Sequence, residues 1–169
     1  MEKLSLGMGC FWGVEKLLTS LPGVVATQVG YQGGHVTNPS YELVCTGTTG
    51  HAEVVEVRYD PEVLPTTELL RVFWENHDPT QKDRQGNDVG TQYRSVLVYS
   101  TGQQLRDIIV TKADYQKALS GAGYGEITTE LLPLADAGAF FRAEEYHQQY
   151  LAKNPFGYCP IHATGIKCG

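Results

Sequence analysis

Gly7-Met8-Gly9-Cys10-Phe11-Trp12-Gly13-Val14-Glu15-Lys16-Leu17-Leu18 is the stretch from which both fold and chemistry are read. Two glycines precede a cysteine and two aromatic rings follow it. Beyond Gly13 the apolar positions Val14, Leu17, Leu18 and Leu21 recur at helical spacing. Cys10 is therefore predicted where a strand turns into a helix. Unpaired N–H groups and the helix dipole at such a point favour negative charge and lower a thiol pKa toward the reactive thiolate. A cysteine among aromatics is also commonly an inert small hydrophobe. Gly9 and Gly13 weigh against that reading, because bracketing glycines admit a close approach by backbone or ligand that a core position does not require.

Working outward, residues 24–31 have the β-branched richness of a strand, 32–41 are turn chemistry, and 41–45 are too short to decide. The run 53–61 has a legible period of two: Glu53 falls with Val55, Val57 and Tyr59, while Glu56 and Arg58 take the other face. A carboxyl turned toward an apolar face is unfavourable unless it has a role or a partner, and burial raises its pKa so that it can remain an acid near neutral pH. The alternative is a solvated side chain at a frayed strand end. A helix is predicted over 65–76, a long polar loop over 80–91 leading into a strand at 94–99, and a helix opened by the Thr101/Gln104 capping pair with Leu105, Ile108, Ile109 and Leu119 on its face until Gly121. Residues 127–134 read as a strand and 143–151 as a short helix. Strands and helices around one core give an α+β class, a two-layer sandwich of a mixed sheet with flanking helices. The expected organisation is one domain over 1–153, followed by a flexible coil tail over 154–169.

A chain of 169 residues can bury one core without staples. The first residues leave no room for a secretion signal and no apolar run reaches membrane-spanning length, so a soluble, cytoplasmic protein is expected. A monomer is expected as well. A net charge of -6 with scattered Lys and Arg gives no footprint for nucleic acid or anionic lipid. Cys10, Cys45, Cys159 and Cys168 could form two structural disulfides, which a cytosolic protein of this size does not need. Their spacing, with His162 between the last two, does not match structural zinc sites. Thiol chemistry without metal or cofactor is the reading that remains.

Five motifs in order, Gly-Cys-Phe-Trp-Gly at 9–13, Gly-Thr-Thr-Gly-His-Ala-Glu-Val-Val at 47–55, His-Asp-Pro-Thr-Gln at 77–81, Gly-Asn-Asp-Val-Gly-Thr-Gln-Tyr-Arg-Ser at 86–95 and Asn-Pro-Phe-Gly-Tyr-Cys at 154–159, span nearly the whole chain. With them the sequence resembles the A-type peptide methionine sulfoxide reductases. The resemblance implies that Cys10 is the nucleophile, that Phe11 and Trp12 cradle the substrate methyl group, and that Glu53, Tyr41, Asp88 and Tyr93 surround the sulfoxide oxygen. It implies the S epimer, in proteins or as the free amino acid. It further implies a sulfenic acid on Cys10 resolved by Cys159, then by Cys168, with thioredoxin as external reductant and Cys45 left to packing. Sulfoxide sulfur is a poor electrophile, so donors around its oxygen are the chemistry such a site requires. A thiol peroxidase and a non-catalytic redox sensor are the rival readings; neither needs an apolar methyl slot.

Overall fold

The computed structural model describes residues 1–159 and 161–168. In chain order it runs β1 (Glu2–Met8), α1 (Phe11–Thr19), β2 (Val24–Gln32), α2 (Tyr41–Cys45), β3 (Ala52–Tyr59), α3 (Thr66–Glu75), β4 (Arg84–Gln85), β5 (Asp88–Val89), β6 (Ser95–Tyr99), α4 (Gly102–Gly121), β7 (Glu130–Pro133), α5 (Leu134–Ala137), β8 (Phe141–Arg142) and α6 (Tyr150–Lys153). Six strands form a sheet in the order β7-β6-β1-β3-β2-β8. Its ladders are antiparallel except β6 with β7, which run parallel, so the sheet is mixed and the class is α+β.

Strand parity decides where the core lies. Leu4, Leu6 and Met8 of β1, Val55, Val57 and Tyr59 of β3 and Leu97 of β6 face one side and pack with Phe11, Val14 and Leu18 of α1, with α3, and with Ile108, Tyr115 and Leu119 of α4. The opposite face carries a smaller cluster of Ala52, Val54, Val96, Val98 and Ala137. Helix α3 supplies Leu69, Leu70, Phe73 and Trp74, all fully enclosed, each worth roughly 1.5–3 kcal/mol of apolar burial. On α4 the buried stripe runs through Gln104, Ile108, Thr111, Tyr115 and Leu119, starting from a Thr101 cap whose Oγ1 accepts the Gln104 N–H at 3.1 Å. Ile109, expected on that stripe, is instead 53% exposed, because the stripe advances by three and four residues and passes it by.

Three expectations need correction. Segment 143–151 is not one helix: a 3₁₀ turn over Glu145–His147 and the short α6 flank Gln149 in the left-handed conformation, φ 55°. Tertiary hydrogen bonds overrule the local pattern there. The Gln149 N–H donates to Glu15 Oε1 on α1 at 2.7 Å, and the Gln148 amide brackets the Val29 backbone of β2. The polar loop over 80–91 contains the β4–β5 hairpin, closed by Arg84 opposite Val89. Residues 127–134 shorten to β7, because the Ile127 and Thr128 N–H groups donate to Gln116 Oε1 and Pro79 O instead of to the sheet, and α5 starts directly after Pro133.

The undecided segment at 41–45 is a single helical turn capped by Ser40, whose Oγ accepts the Leu43 N–H at 3.1 Å. A buried chain joins α3 to β6 and β7. The His77 Nδ1–H donates to Phe73 O at 2.7 Å, Ser95 Oγ–H donates to His77 Nε2 at 2.7 Å, and Thr129 donates to Ser95 Oγ at 2.7 Å. This ring is neutral, burial pushing its pKa down to about 4.

Candidate active site

Cys10 caps the N-terminus of α1 after Gly9, which sits at φ +97° where a side chain would be strained and its Cβ would come 2.9 Å from Gln85 Cβ. The strand-to-helix turn is where the sequence places it, but the thiol is not exposed: 7% of Cys10 reaches solvent. Burial raises its pKa well above the ordinary thiol value, and the nearby Glu53 and Asp88 carboxyls add to this. The N–H groups of Trp12 and Gly13 pull the other way without prevailing. The expectation that the helix terminus lowers the pKa is therefore corrected. At the helix N-terminus desolvation is the larger effect, and Cys10 rests as a thiol.

Glu53 enters from β3 on the core-facing parity, 1% exposed, and is not the solvated strand end that the alternative envisaged. Its Oε1 accepts the Phe11 N–H at 3.2 Å, across the first turn of α1 and one residue from Cys10. Its Oε2 is buried without a partner among the described residues. Burial pushes its pKa up to about 8, the Phe11 N–H offsetting part of this and the Asp88 charge adding to it. The carboxyl is thus protonated at neutral pH, with one oxygen free to donate.

Around this acid the chain brings three further groups from separate elements. Tyr41 comes from α2, Asp88 from β5, and Tyr93 from the 3₁₀ turn Thr91–Tyr93. Both phenols are half-buried, and burial first, then the Glu53 charge, raises their pKa so that they remain O–H donors. Arg94 braces this side, its guanidinium donating to Gly50 O at 2.9 Å and Thr91 O at 3.0 Å. Cys45 is close enough to perturb both tyrosines, yet it is exposed at the end of α2 rather than packed as the sequence reading had it.

Phe11 is fully enclosed, its ring 5.9 Å from Tyr31 and 5.2 Å from His147. Trp12 is half-buried, stacked on Tyr150 at 3.9 Å and 13°, with its indole N–H donating to His147 Nδ1 at 2.9 Å. The 144–150 segment supplies this wall, a role that its helix-like pattern in the sequence does not signal. Glu144 belongs to it. Burial alone would raise this carboxyl, but the Tyr41 N–H and the Tyr31 hydroxyl, at 2.8 and 2.9 Å, hold its pKa below the ordinary value.

The tail crosses the same rim. The Tyr158 hydroxyl donates to Asp88 Oδ2 at 3.2 Å, Cys159 follows it in the open, and His162 lies over Gly86, where a Cβ would come 2.5 Å from the ring. Cys168 ends up elsewhere. It is buried against α3 and α4, its N–H donating to Glu75 Oε2 at 2.8 Å, while the Tyr115 hydroxyl donates to Ile166 O at 3.2 Å. All four cysteines are free thiols. Among the described residues no cluster of His, Cys, Asp or Glu has a metal-holding arrangement.

The model of the family described as peptide methionine sulfoxide reductase matches residues 2–167. The chain belongs to that family. It is 55% identical over 168 residues to the peptide methionine sulfoxide reductase MsrA of Rhodospirillum centenum, covering 99% of this chain and 75% of that protein. Methionine sulfoxide reductase A of Corynebacterium diphtheriae superposes with a TM-score of 0.89 at 51% identity, over 99% of this chain and 82% of that one. Mxr1 of Saccharomyces cerevisiae in reduced form gives 0.84 at 38% identity, over 95% and 90%. The same protein in complex with Trx2 gives 0.61 at 27%, over 95% and 87%. This methionine sulfoxide reductase is accordingly an oxidoreductase of the A type, on the mixed-sheet fold of its solved relatives. Among the described residues no helix is long and apolar enough to cross a membrane.

Proposed function

We propose that the chain reduces methionine-S-sulfoxide, both in proteins and as the free amino acid, through the cluster built around Cys10 and Glu53. The observation that carries this is the Glu53 carboxyl: buried, protonated at neutral pH, held by the Phe11 N–H on one oxygen and without a partner on the other. An acid with an unused donor, held from β3 against the N–H of the residue after Cys10, suits a substrate whose oxygen must gain a proton as its sulfur is attacked.

The Cys10 sulfur bonds to the sulfoxide sulfur as Glu53 protonates the oxygen, with Tyr41 and Tyr93 donating hydrogen bonds and Asp88 completing the polar wall. The thiol proton restores Glu53. The hydroxyl then moves to the Cys10 sulfur, the S–O bond and the bond between the two sulfurs both breaking with an electron pair left on the substrate sulfur, so methionine leaves as the reduced thioether and Cys10 is oxidised to the sulfenic acid. Cys159 condenses with the sulfenic acid to a disulfide, releasing water. Cys168 attacks that disulfide, giving a Cys159–Cys168 bridge and returning Cys10 to the thiol, and an external dithiol reduces the bridge.

Thioredoxin is the reductant we assign, a reading supported by the solved complex of Mxr1 with Trx2. Fixing the methyl group against the half-buried Trp12, with Phe11 enclosed next to it in the chain, the oxygen on Glu53 and the line of attack from Cys10 leaves one direction for the rest of the substrate, and hence one epimer. The coil tail over 154–169, within which Pro160 and Gly169 lie outside the described residues, would carry the recycling thiols. Cys168 must leave its dock against Glu75 to take part.

The test is a reaction of the protein with a methionine sulfoxide peptide in the absence of reductant, followed by mass spectrometry. At least one methionine peptide should form per chain, with a loss of two hydrogens from the protein mapped to a Cys10–Cys159 or Cys159–Cys168 bridge. Peptide left oxidised while hydrogen peroxide is consumed would favour the peroxidase reading. Reduced peptide without any bridge would remove the recycling scheme.

A further inference from the structure

His147 lies outside every motif that the sequence singled out, yet it is the most enclosed polar group beside the aromatic wall. None of it reaches solvent. Its ring centroid is 4.0 Å from that of Tyr146, 4.4 Å from Tyr41, 5.2 Å from Phe11 and 5.7 Å from Trp12, so it touches three of the residues assigned to the site. Its Nδ1 accepts the Trp12 indole N–H at 2.9 Å and therefore carries no proton of its own. The neutral ring must hold its proton on Nε2, which is buried without a partner among the described residues. A buried donor left unpaired is unfavourable, and one retained beside a reactive cluster calls for an explanation in function rather than in packing.

The backbone on both sides of the ring is pinned. Glu144 is tied to Tyr31 and Tyr41, the Gln148 amide accepts the Val29 N–H at 3.0 Å, and the Gln149 N–H donates to Glu15 at 2.7 Å. The imidazole thus presents a fixed acceptor, and the indole takes its orientation from it. Tyr150 stacks on one indole face and so covers that face against a substrate. The arrangement has the form expected of a support that locks the rotamer of a contact residue.

We propose that His147 is a positioning residue for sulfoxide reduction that acts through Trp12: protonated at Nε2, it accepts the indole N–H and, with Tyr150, fixes the wall against which the S-methyl group lies. The proposal rests on the assignment of Trp12 to the methyl slot. Its specific consequence is that the acceptor at Nδ1, and not the ring as such, is what matters.

Four variants test this: His147→Phe, which keeps an aromatic ring without an acceptor, His147→Asn, whose amide oxygen can stand near Nδ1, Trp12→Phe, and Trp12→Phe combined with His147→Phe. Kinetics on a methionine sulfoxide peptide should show kcat/KM falling about tenfold in His147→Phe, chiefly through KM, and within about threefold of the parent in His147→Asn. In the Trp12→Phe background the His147→Phe change should add less than about a twofold loss. Indole emission should shift in His147→Phe and hold still in the double variant, where Trp74 is the remaining tryptophan. Should His147→Phe fail to fold, His147→Leu against His147→Asn gives the same contrast.

An equal loss from His147→Phe in both backgrounds would make the residue merely structural and overturn the proposal. So would an unchanged kcat/KM in His147→Phe when Trp12→Phe is impaired. An unimpaired Trp12→Phe would instead remove the methyl slot itself, and the proposal with it.

Discussion

Glu53→Gln is expected to lower the single-turnover rate of sulfoxide reduction about 10²-fold or more while the protein stays folded, measured by rapid quench on a methionine sulfoxide peptide. Gln has nearly the same shape and can still accept the Phe11 N–H that Glu53 Oε1 accepts at 3.2 Å. What it lacks is a proton to transfer. In the native site the Cys10 thiol is driven up by burial and the Glu53 proton has no competing partner, so the two groups can hand one proton between them. With Gln in place the oxygen is met only by hydrogen bonds, and the thiol proton has lost its acceptor. A variant as fast as the parent would leave Glu53 without a chemical role.

The same substitution should change the pH dependence of stability, in a direction fixed by the sign of the shift. The Glu53 pKa is raised in the folded protein, from 4.5 to about 8, so the folded state binds more protons than the unfolded one between those values. Stability is therefore lost as pH rises through that window, by up to about 1.4 kcal/mol for each unit of displacement, and levels off above it. Glu53→Gln has no such loss. Its melting temperature relative to the parent should climb from pH 5 to pH 8, and parallel profiles would contradict the buried acid. The parent's rate should also fall as Glu53 ionises, both because the donor is lost and because its charge raises the thiol further.

Cys159→Ser should abolish recycling but spare chemistry. Steady-state turnover with a dithiol reductant falls at least ~100-fold, while a first equivalent of methionine still forms in a burst. Cys159 is exposed and follows Tyr158, whose hydroxyl is already bound to Asp88 at the rim. Cys168 cannot stand in for it from its docked position, buried, with its N–H on Glu75 and the neighbouring Lys167 ammonium 3.6 Å from the same carboxylate. Loss of the burst along with turnover would place Cys159 in the first step instead. Full steady-state activity would remove it from the cycle.

The parts of the fold that could be read from the sequence are those dictated by neighbours along the chain. The glycine turn ahead of Cys10, the helix behind it, and the inward parity of Glu53 on β3 all follow from local spacing. What could not be read depends on distant partners. The Cys10 thiol sits at a helix N-terminus that favours the anion, but the burial that reverses the sign comes from the folded core. Residues 143–151 look helical until Glu15, 134 positions from Gln149, captures that residue's N–H. His147 gave no signal because its role lies in an acceptor turned to an indole 135 positions away. The dock of Cys168 on Glu75 spans 93 positions and has no counterpart in composition.

The central claim is that Glu53 holds its proton at the pH where the enzyme works. Titrating the side-chain carboxyl carbon of Glu53 by NMR, with the Glu53→Gln variant to assign the resonance, tests it directly. The account predicts a midpoint near pH 8 and a protonated chemical shift at pH 7. A midpoint near the 4.5 of an ordinary glutamate would contradict it.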